Sequence, residues 1–329
     1  MGYAVATFCF YNSYTFFIQL DHLAMMAQQL FRRCERNPIL TTADLPFPAL
    51  GVLNPGALEV DGHVVLLLRV ENLDGYSDIY VARSLNGITN WQIDPCPILK
   101  HGLKAWRYEA WGCEDARATW MPDDECWYLT YVAYSPLGPA VALARTRDFT
   151  HAERISLLGA TNDKDGVLFP RKFNGHYAIL HRPDAGGHEH IWSAYSPDLV
   201  HWGEPHCVLA EGFGPAWDAV KVGAGPPPIP TDHGWLLIYH GVKRYAEKML
   251  YRVGLALLDL NKPHQVLART PGCVFQPEMP YELSGTVPHI VFPTGTLLRG
   301  DELWMYYGAA DSCVCLATAR LDDLLAYLA

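Results

Sequence analysis

Several familiar chemistries are missing from this chain of 329 residues. It has no G-x-S-x-G turn, no P-loop, no H-E-x-x-H pair and no G-x-G-x-x-G. The common signatures of serine hydrolysis, nucleotide-phosphate binding, zinc proteolysis and dinucleotide binding are therefore absent. No C-x-x-C occurs among its nine cysteines, and the closest pair, Cys313 and Cys315, would share one face of a strand. An odd, scattered set reads as buried thiols in a reducing compartment, hence a cytoplasmic protein, and not as a zinc site or disulfide framework. Positive charge is short: 25 Lys and Arg face 35 Asp and Glu, a formal charge of -10. That excludes a broad nucleic-acid surface but leaves room for a local basic pocket around a small anion. A clean membrane span is missing too. Residues 3–20 are apolar and aromatic but broken by Asn12, Ser13, Thr15 and Gln19, with no basic residue before them. Residues 1–36 are expected to be an extension outside the main fold, helical over 21–33 or partly disordered, with Met25 or Met26 as a candidate start. A weak signal or anchor is the alternative. What the chain has in quantity is apolar residues, half of the total, which suits one large core.

From Asn54 onward one pattern recurs five times: an apolar strand with a few odd polar residues, a turn, an aromatic and branched strand, a polar loop and a further strand. The turns include Asp61-Gly62, Pro122-Asp123-Asp124, Asn174-Gly175, Asp232-His233-Gly234 and Gly300-Asp301. Asp-Gly and Asn-Gly between alternating strands are strong hairpin signals. Polar tails follow the third strands, with Asp148, Asp198, Asp259 and Leu321-Asp322-Asp323-Leu324 in comparable places. Five such units without long amphipathic helices predict an all-β, five-bladed β-propeller over residues 37–329 as a single domain. A two-sheet sandwich would not need the same strand order five times.

In a propeller the first strands line the axis, and that is where the odd residues lie. They are Asn54, the group Glu114-Asp115-Arg117, Lys164 with Asp165, and Lys221. The ends of the second strands add Arg69, Glu71, His181, Arg182, His240 and Asp311. Singly each has an ordinary structural explanation, such as a salt bridge or a satisfied core histidine. Falling at equivalent places, they suggest a shared site. One acid at Asp115 facing Lys164, Arg182 and Lys221 describes an enzyme that seats an anion between cations. An inverting hydrolase needs a second carboxylate to activate water, and Glu278 and Glu282 are the unclaimed candidates. His188-Glu189-His190 on a glycine loop is a weak metal signal, so no metal is expected.

With these residues in hand the sequence resembles glycoside hydrolase family 130, the inverting β-mannoside phosphorylases and their relatives. The resemblance runs from about Asn54 to the C-terminus. It is carried by Asn54-Pro55-Gly56-Ala57, Leu68-Arg69-Val70-Glu71, Gly112-Cys113-Glu114-Asp115-Ala116-Arg117, Lys164-Asp165-Gly166-Val167, His181-Arg182-Pro183, Tyr239-His240-Gly241 and Tyr307-Gly308-Ala309-Ala310-Asp311. The resemblance implies a five-bladed propeller in which phosphate attacks the anomeric carbon of a non-reducing β-mannoside with inversion, releasing α-mannose 1-phosphate. It puts the general acid on Asp115, acting through a hydroxyl of the bound mannose. Mannose binding falls on Asn54, Arg69 and Asp311, and His188 is expected toward the leaving-group sugar. Phosphate binding falls on Lys164, Arg182, Lys221 and Tyr251, with His240 nearby; Lys164 stands where some members have Arg. No cofactor is implied beyond phosphate as co-substrate, and no nucleic-acid or membrane partner; homo-oligomers are common in the family. The Pro-Pro-Pro-Ile and Tyr-His-Gly stretches are most similar to members acting on β-1,4-mannooligosaccharides and mannosyl-N-acetylglucosamine. An inverting β-mannosidase, a β-1,2-mannobiose phosphorylase and a non-enzymatic sugar-binding propeller are the alternatives.

Overall fold

The computed structural model describes residues 29–329, and the fold is all-β. Two short α-helices, Pro280–Leu283 and Leu321–Leu328, are the exceptions among the described residues. The five expected units are each an antiparallel group. In the first, Gly51–Val60, His63–Glu71 and Ser77–Ser84 pair in order, with Gln92–Ile93 outside. Gly112–Met121, Cys126–Ser135, Gly138–Thr146 and Glu153–Leu157 form the second, joined to the first by one parallel bridge, Ser77 to Gly112. The third is Asp163–Leu168, Tyr177–Pro183, Ile191–Ser196 and Gly203–Leu209. The fourth is Lys221–Ala224, Gly234–Tyr245, Lys248–Leu258 and Val266–Arg269, with a short strand Ile229–Thr231 beside the second. In the fifth, Val291–Arg299, Glu302–Ala309 and Cys313–Arg320 pair in order.

The hairpins close as their turn residues dictate. Asp61 and Gly62 take φ of 51° and 71°, Asn174 and Gly175 take 49° and 81°, the left-handed pair that matches the twist of two joined strands. The polar tails are side-chain turns, in which Asp148, Asp198 and Asp259 accept backbone N–H groups two and three residues on.

The alternation of the strands decides where the core sits. Leu67 faces the second unit with Leu129 and Ala142, whereas its neighbours Leu66 and Leu68 face the fifth with Tyr306 and Leu316. A period of two thus buries both faces of one strand in different clusters. Five such clusters lie between consecutive units, the last between the fifth and the first. The first strands also touch in sequence. A Cβ at Gly56 would strike the Ala116 carbonyl, one at Gly223 would strike Asp165, and one at Gly295 would lie 2.5 Å from Ala57 N.

Three expectations change. The helix expected over 21–33 falls mostly outside the described residues, and its last two residues, Arg32–Arg33, are instead a strand. This strand pairs with Thr318 and Ala317 as the outer strand of the fifth unit. Phe31 is buried in the core beside it, so the segment from about residue 30 belongs to the fold. At the other end Leu321–Leu328 is helical, because Leu324 and Leu328 recur at helical spacing and are buried there. The eight described cysteines are all unpaired, yet Cys96 and Cys207 are exposed, so the thiols are not uniformly core residues. Among the described residues no helix is long and apolar enough to cross a membrane.

Candidate active site

The first strands of units one, two and three are each interrupted by a β-bulge, at Leu53/Gly56, Glu114/Arg117 and Lys164/Val167. At each bulge an Asn or Asp takes a left-handed backbone: Asn54 at φ 45°, Asp115 at 52°, Asp165 at 54°. A bulge re-aims its side chain out of the ladder, and Asn and Asp enter this region at the least cost after glycine. All three line one pocket of about 290 Å³. Asp311, at φ 47° after the second strand of unit five, lines it as well.

The acidic side is tightly bonded. Asn54 Nδ2 donates to Asp115 Oδ1 at 2.9 Å, and Arg69 Nη1 donates to the same oxygen at 3.2 Å. Arg69 is itself fixed, with Nη2 on Glu114 at 3.1 Å and Nε on Ser77 Oγ at 3.0 Å. Asn54 is pressed against Gly308, where a Cβ would collide with its amide. Burial pushes the Asp115 carboxyl up, but Arg69, Arg117, the Asn54 hydrogen bond and Lys164 outweigh it and hold it below its usual range. Asp311 goes the other way: burial, then the negative charge of Asp115, raises it to about 6.

The basic side begins with a like-charge juxtaposition. Lys164 and Arg182 are directly opposite across their strand pair, an arrangement that costs free energy unless negative charge sits beside it. Arg182 Nη1 lies 2.7 Å from Asp165 Oδ2 and donates to His240 Nε2 at 3.0 Å. Buried Arg117 holds the other oxygen of Asp165 at 3.0 Å. His240 is fully buried behind the pocket wall, and burial first, then Arg182 and Lys221, lower it to about 3. It is neutral at working pH and supplies no charge. Lys221 Nζ lies 5.5 Å over the Tyr251 ring, and Phe292 packs on His240 at 4.6 Å.

Of the expected site residues, Asn54, Arg69, Asp115 and Asp311 meet Lys164, Arg182, Lys221 and Tyr251 in this pocket. His240 supports it from behind. His188 does not line it; its imidazole is mostly exposed and Nδ1 pairs with Glu211 at 2.8 Å. His188, His190 and Glu211 bring their ligand atoms within 4.8 Å of one another, a grouping that could hold a divalent cation, although both histidines already bond to Glu211. Two sequence-based expectations fail. Glu278 and Glu282 are not spare carboxylates of the pocket: Glu282 is fully buried, bonded to Arg33 Nε at 2.8 Å and to the Tyr307 hydroxyl, and Glu278 also faces Arg33. Nor does one acid face three cations. The pocket is lined by Arg69, Lys164, Arg182 and Lys221 against Asp115, Asp165, Asp184, Glu189 and Asp311. Asp165 was signalled by sharing the early first-strand position of Asn54 and Asp115; Glu189 carried no such signal.

The family model described as β-1,4-mannooligosaccharide phosphorylase matches residues 33–329. A β-1,2-mannobiose phosphorylase of Listeria innocua is 33% identical over 354 residues, 89% of this chain and 97% of that protein. A β-1,4-mannooligosaccharide phosphorylase of Ruminococcus albus is 32% identical over 309 residues, 90% of each chain. The solved structure of the Listeria innocua enzyme with β-1,2-mannobiose superposes with a TM-score of 0.83 at 32% identity, covering 91% of this chain and 99% of that one.

Proposed function

The chain belongs to glycoside hydrolase family 130, and from that membership we propose that it cleaves non-reducing β-mannosides with inorganic phosphate, giving α-mannose 1-phosphate with inversion. The observation that carries the reading is the cation pair Lys164 and Arg182, set opposite each other on a wall of the pocket that also holds Asp115. Lys221 and Tyr251 extend that wall. A phosphate seated there by charge and bidentate hydrogen bonds meets the anomeric carbon as nucleophile. The glycosidic C–O bond breaks as the new bond forms, and its oxygen takes the proton of Asp115, relayed through a mannose hydroxyl. Asn54, Arg69 and Asp311 hold the mannose, and His188, next in the chain to the pocket-lining Glu189, is assigned to the leaving-group sugar.

Asp115 must be protonated at the start of that step, yet its neighbours favour the carboxylate. A phosphate dianion against Lys164 and Arg182 offsets the field that holds the carboxyl down, so nucleophile binding and arming of the acid are coupled. The finer proposal is a β-1,4-mannooligosaccharide or mannosyl-N-acetylglucosamine substrate, supported by the description of the matching family model. The β-1,2-linkage is the competing choice, supported by the Listeria innocua relative. The architecture is proposed to be a five-bladed propeller, supported by five units, five inter-unit clusters and first strands that touch in sequence. A cytoplasmic location is supported by the eight unpaired thiols.

Inverting hydrolysis is the second reading, favoured by Glu189, a carboxylate in the pocket that could serve as base. The test is a panel of β-1,4- and β-1,2-linked mannosides with and without phosphate, assayed for mannose 1-phosphate and free mannose. Phosphate-dependent mannose 1-phosphate supports phosphorolysis; mannose release at the same rate without phosphate refutes it.

A further inference from the structure

The negative partners of the cationic wall are not alike. Asp165 is buried, gripped by Arg117 and Arg182, and belongs to the framework. Glu189 is placed differently. Its Oε2 lies 3.0 Å from Arg182 Nε and its Oε1 3.8 Å from Lys221 Nζ, and it is about a quarter exposed. The Arg182 contact is short but out of line, and Nε has no aligned hydrogen-bond acceptor. Since Nη1 of Arg182 donates to His240 and lies 2.7 Å from Asp165 Oδ2, the edge that Glu189 covers is the one left for an incoming anion.

The backbone of Glu189 is pinned while its side chain is not. Its carbonyl accepts from Val222 N at 3.1 Å, and its N–H donates to Glu211 at 3.3 Å. The Asp184–Glu189 bridge closes the loop behind it, with Gly186 and Gly187 at φ 72° and 90°. The carboxylate can therefore leave by rotation about its own side-chain bonds, with no movement of the loop.

We infer that Glu189 is an internal stand-in for phosphate: its carboxylate neutralises Arg182 and Lys221, and each arriving phosphate must displace it. This rests on the phosphate seat proposed above. The exchange trades a poorly aligned ion pair for an oxyanion with several acceptor lone pairs. It also provides a route for product release, because the returning carboxylate competes with the sugar phosphate for the same two cations. Glu189 thereby sets the strength of phosphate binding without entering the bond-breaking step.

The test is titration calorimetry of inorganic phosphate into the wild type, Glu189→Gln and Glu189→Ala, with thermal unfolding to show that each variant folds. Deleting a partly exposed competitor of this kind should tighten phosphate binding by about three- to tenfold in both variants. The KM for phosphate should fall in parallel. Unchanged or weaker binding in the variants, with the wild type binding phosphate, would overturn this inference alone and make Glu189 a holder of the cations. Loss of a phosphate-independent mannose release on Glu189→Gln would also overturn it, by making Glu189 a base. No phosphate binding by the wild type would instead overturn the phosphate seat itself. A crystal of the wild type soaked in phosphate gives a readout free of substitutions: the anion should lie at Arg182 Nε with the Glu189 carboxylate withdrawn. An intact Arg182–Glu189 pair beside bound phosphate would refute the displacement.

Discussion

Asp115→Asn isolates the acid from its scaffolding. The amide keeps an oxygen where Asn54 Nδ2 and Arg69 Nη1 now donate at 2.9 and 3.2 Å. Arg69 is not orphaned, because Glu114 and Ser77 still hold it at 3.1 and 3.0 Å. The stability cost should therefore be that of weakening charge-assisted hydrogen bonds, about 1–3 kcal/mol, and the variant should fold. The chemical cost is larger. Losing a general acid is worth about 100- to 10,000-fold, but only where the leaving group needs a proton. Mannose 1-phosphate release from an oligosaccharide should fall by that factor. Release from an aryl β-mannoside with a stable phenolate leaving group should fall far less. The assay is the ratio of the two rates in variant and wild type at saturating phosphate. Equal losses on both substrates would mean that Asp115 binds the sugar and does not protonate the leaving group, and the proposed mechanism would be wrong.

Lys221→Ala should raise the KM for phosphate about tenfold or more while leaving the KM for the mannoside nearly unchanged, since Lys221 touches Glu189 and Tyr251 but none of the mannose-side residues; steady-state kinetics with each substrate varied would reveal a misassignment if both rise together. His240, lowered to about 3 in the folded chain, takes up a proton more readily once unfolded, so below its ordinary pKa near 6.5 the unfolded state gains. Its contribution should remove up to about 1.4 kcal/mol of stability per pH unit from roughly pH 6 downward, and His240→Gln should flatten that part of a urea-denaturation series against pH. Arg33→Ala should cost about 3–5 kcal/mol by leaving Glu282 buried without its cation, whereas Arg32→Ala, on the opposite face in an exposed pair with Glu35, should cost under about 0.5 kcal/mol. Comparable midpoints for the two in chemical denaturation would contradict the role given to the Arg33 pair.

The residues differ in how openly the sequence declared them. Asp61-Gly62 and Asn174-Gly175 were legible because a two-residue turn is a local constraint, and the three long strands of each unit followed from alternation between such turns. The charged pocket was legible in outline because Asn54 and Asp115 recur at one register of the repeat. Arg32–Arg33 was not legible: two residues carry no periodicity, and their pairing is decided by the far end of the chain. The C-terminal helix was hidden by its acidic first turn, which matched the polar tails of the other units, although Leu324 and Leu328 already had helical spacing. Glu282 looked unclaimed for a related reason, since its partner Arg33 is distant in sequence. Glu189 was illegible because its role depends on a loop fold and on competition for one edge of Arg182.

The bulges limit how this pocket can be altered. Because Asn54, Asp115 and Asp165 reach the pocket from left-handed backbone, their positions favour asparagine, aspartate and glycine. Lengthening Asp115 to glutamate would change backbone preference as well as reach, at a cost of about 1–2 kcal/mol. Redesign of substrate choice is therefore better directed at pocket positions on ordinary extended backbone, where side chains can be exchanged without changing the handedness of the chain that carries them.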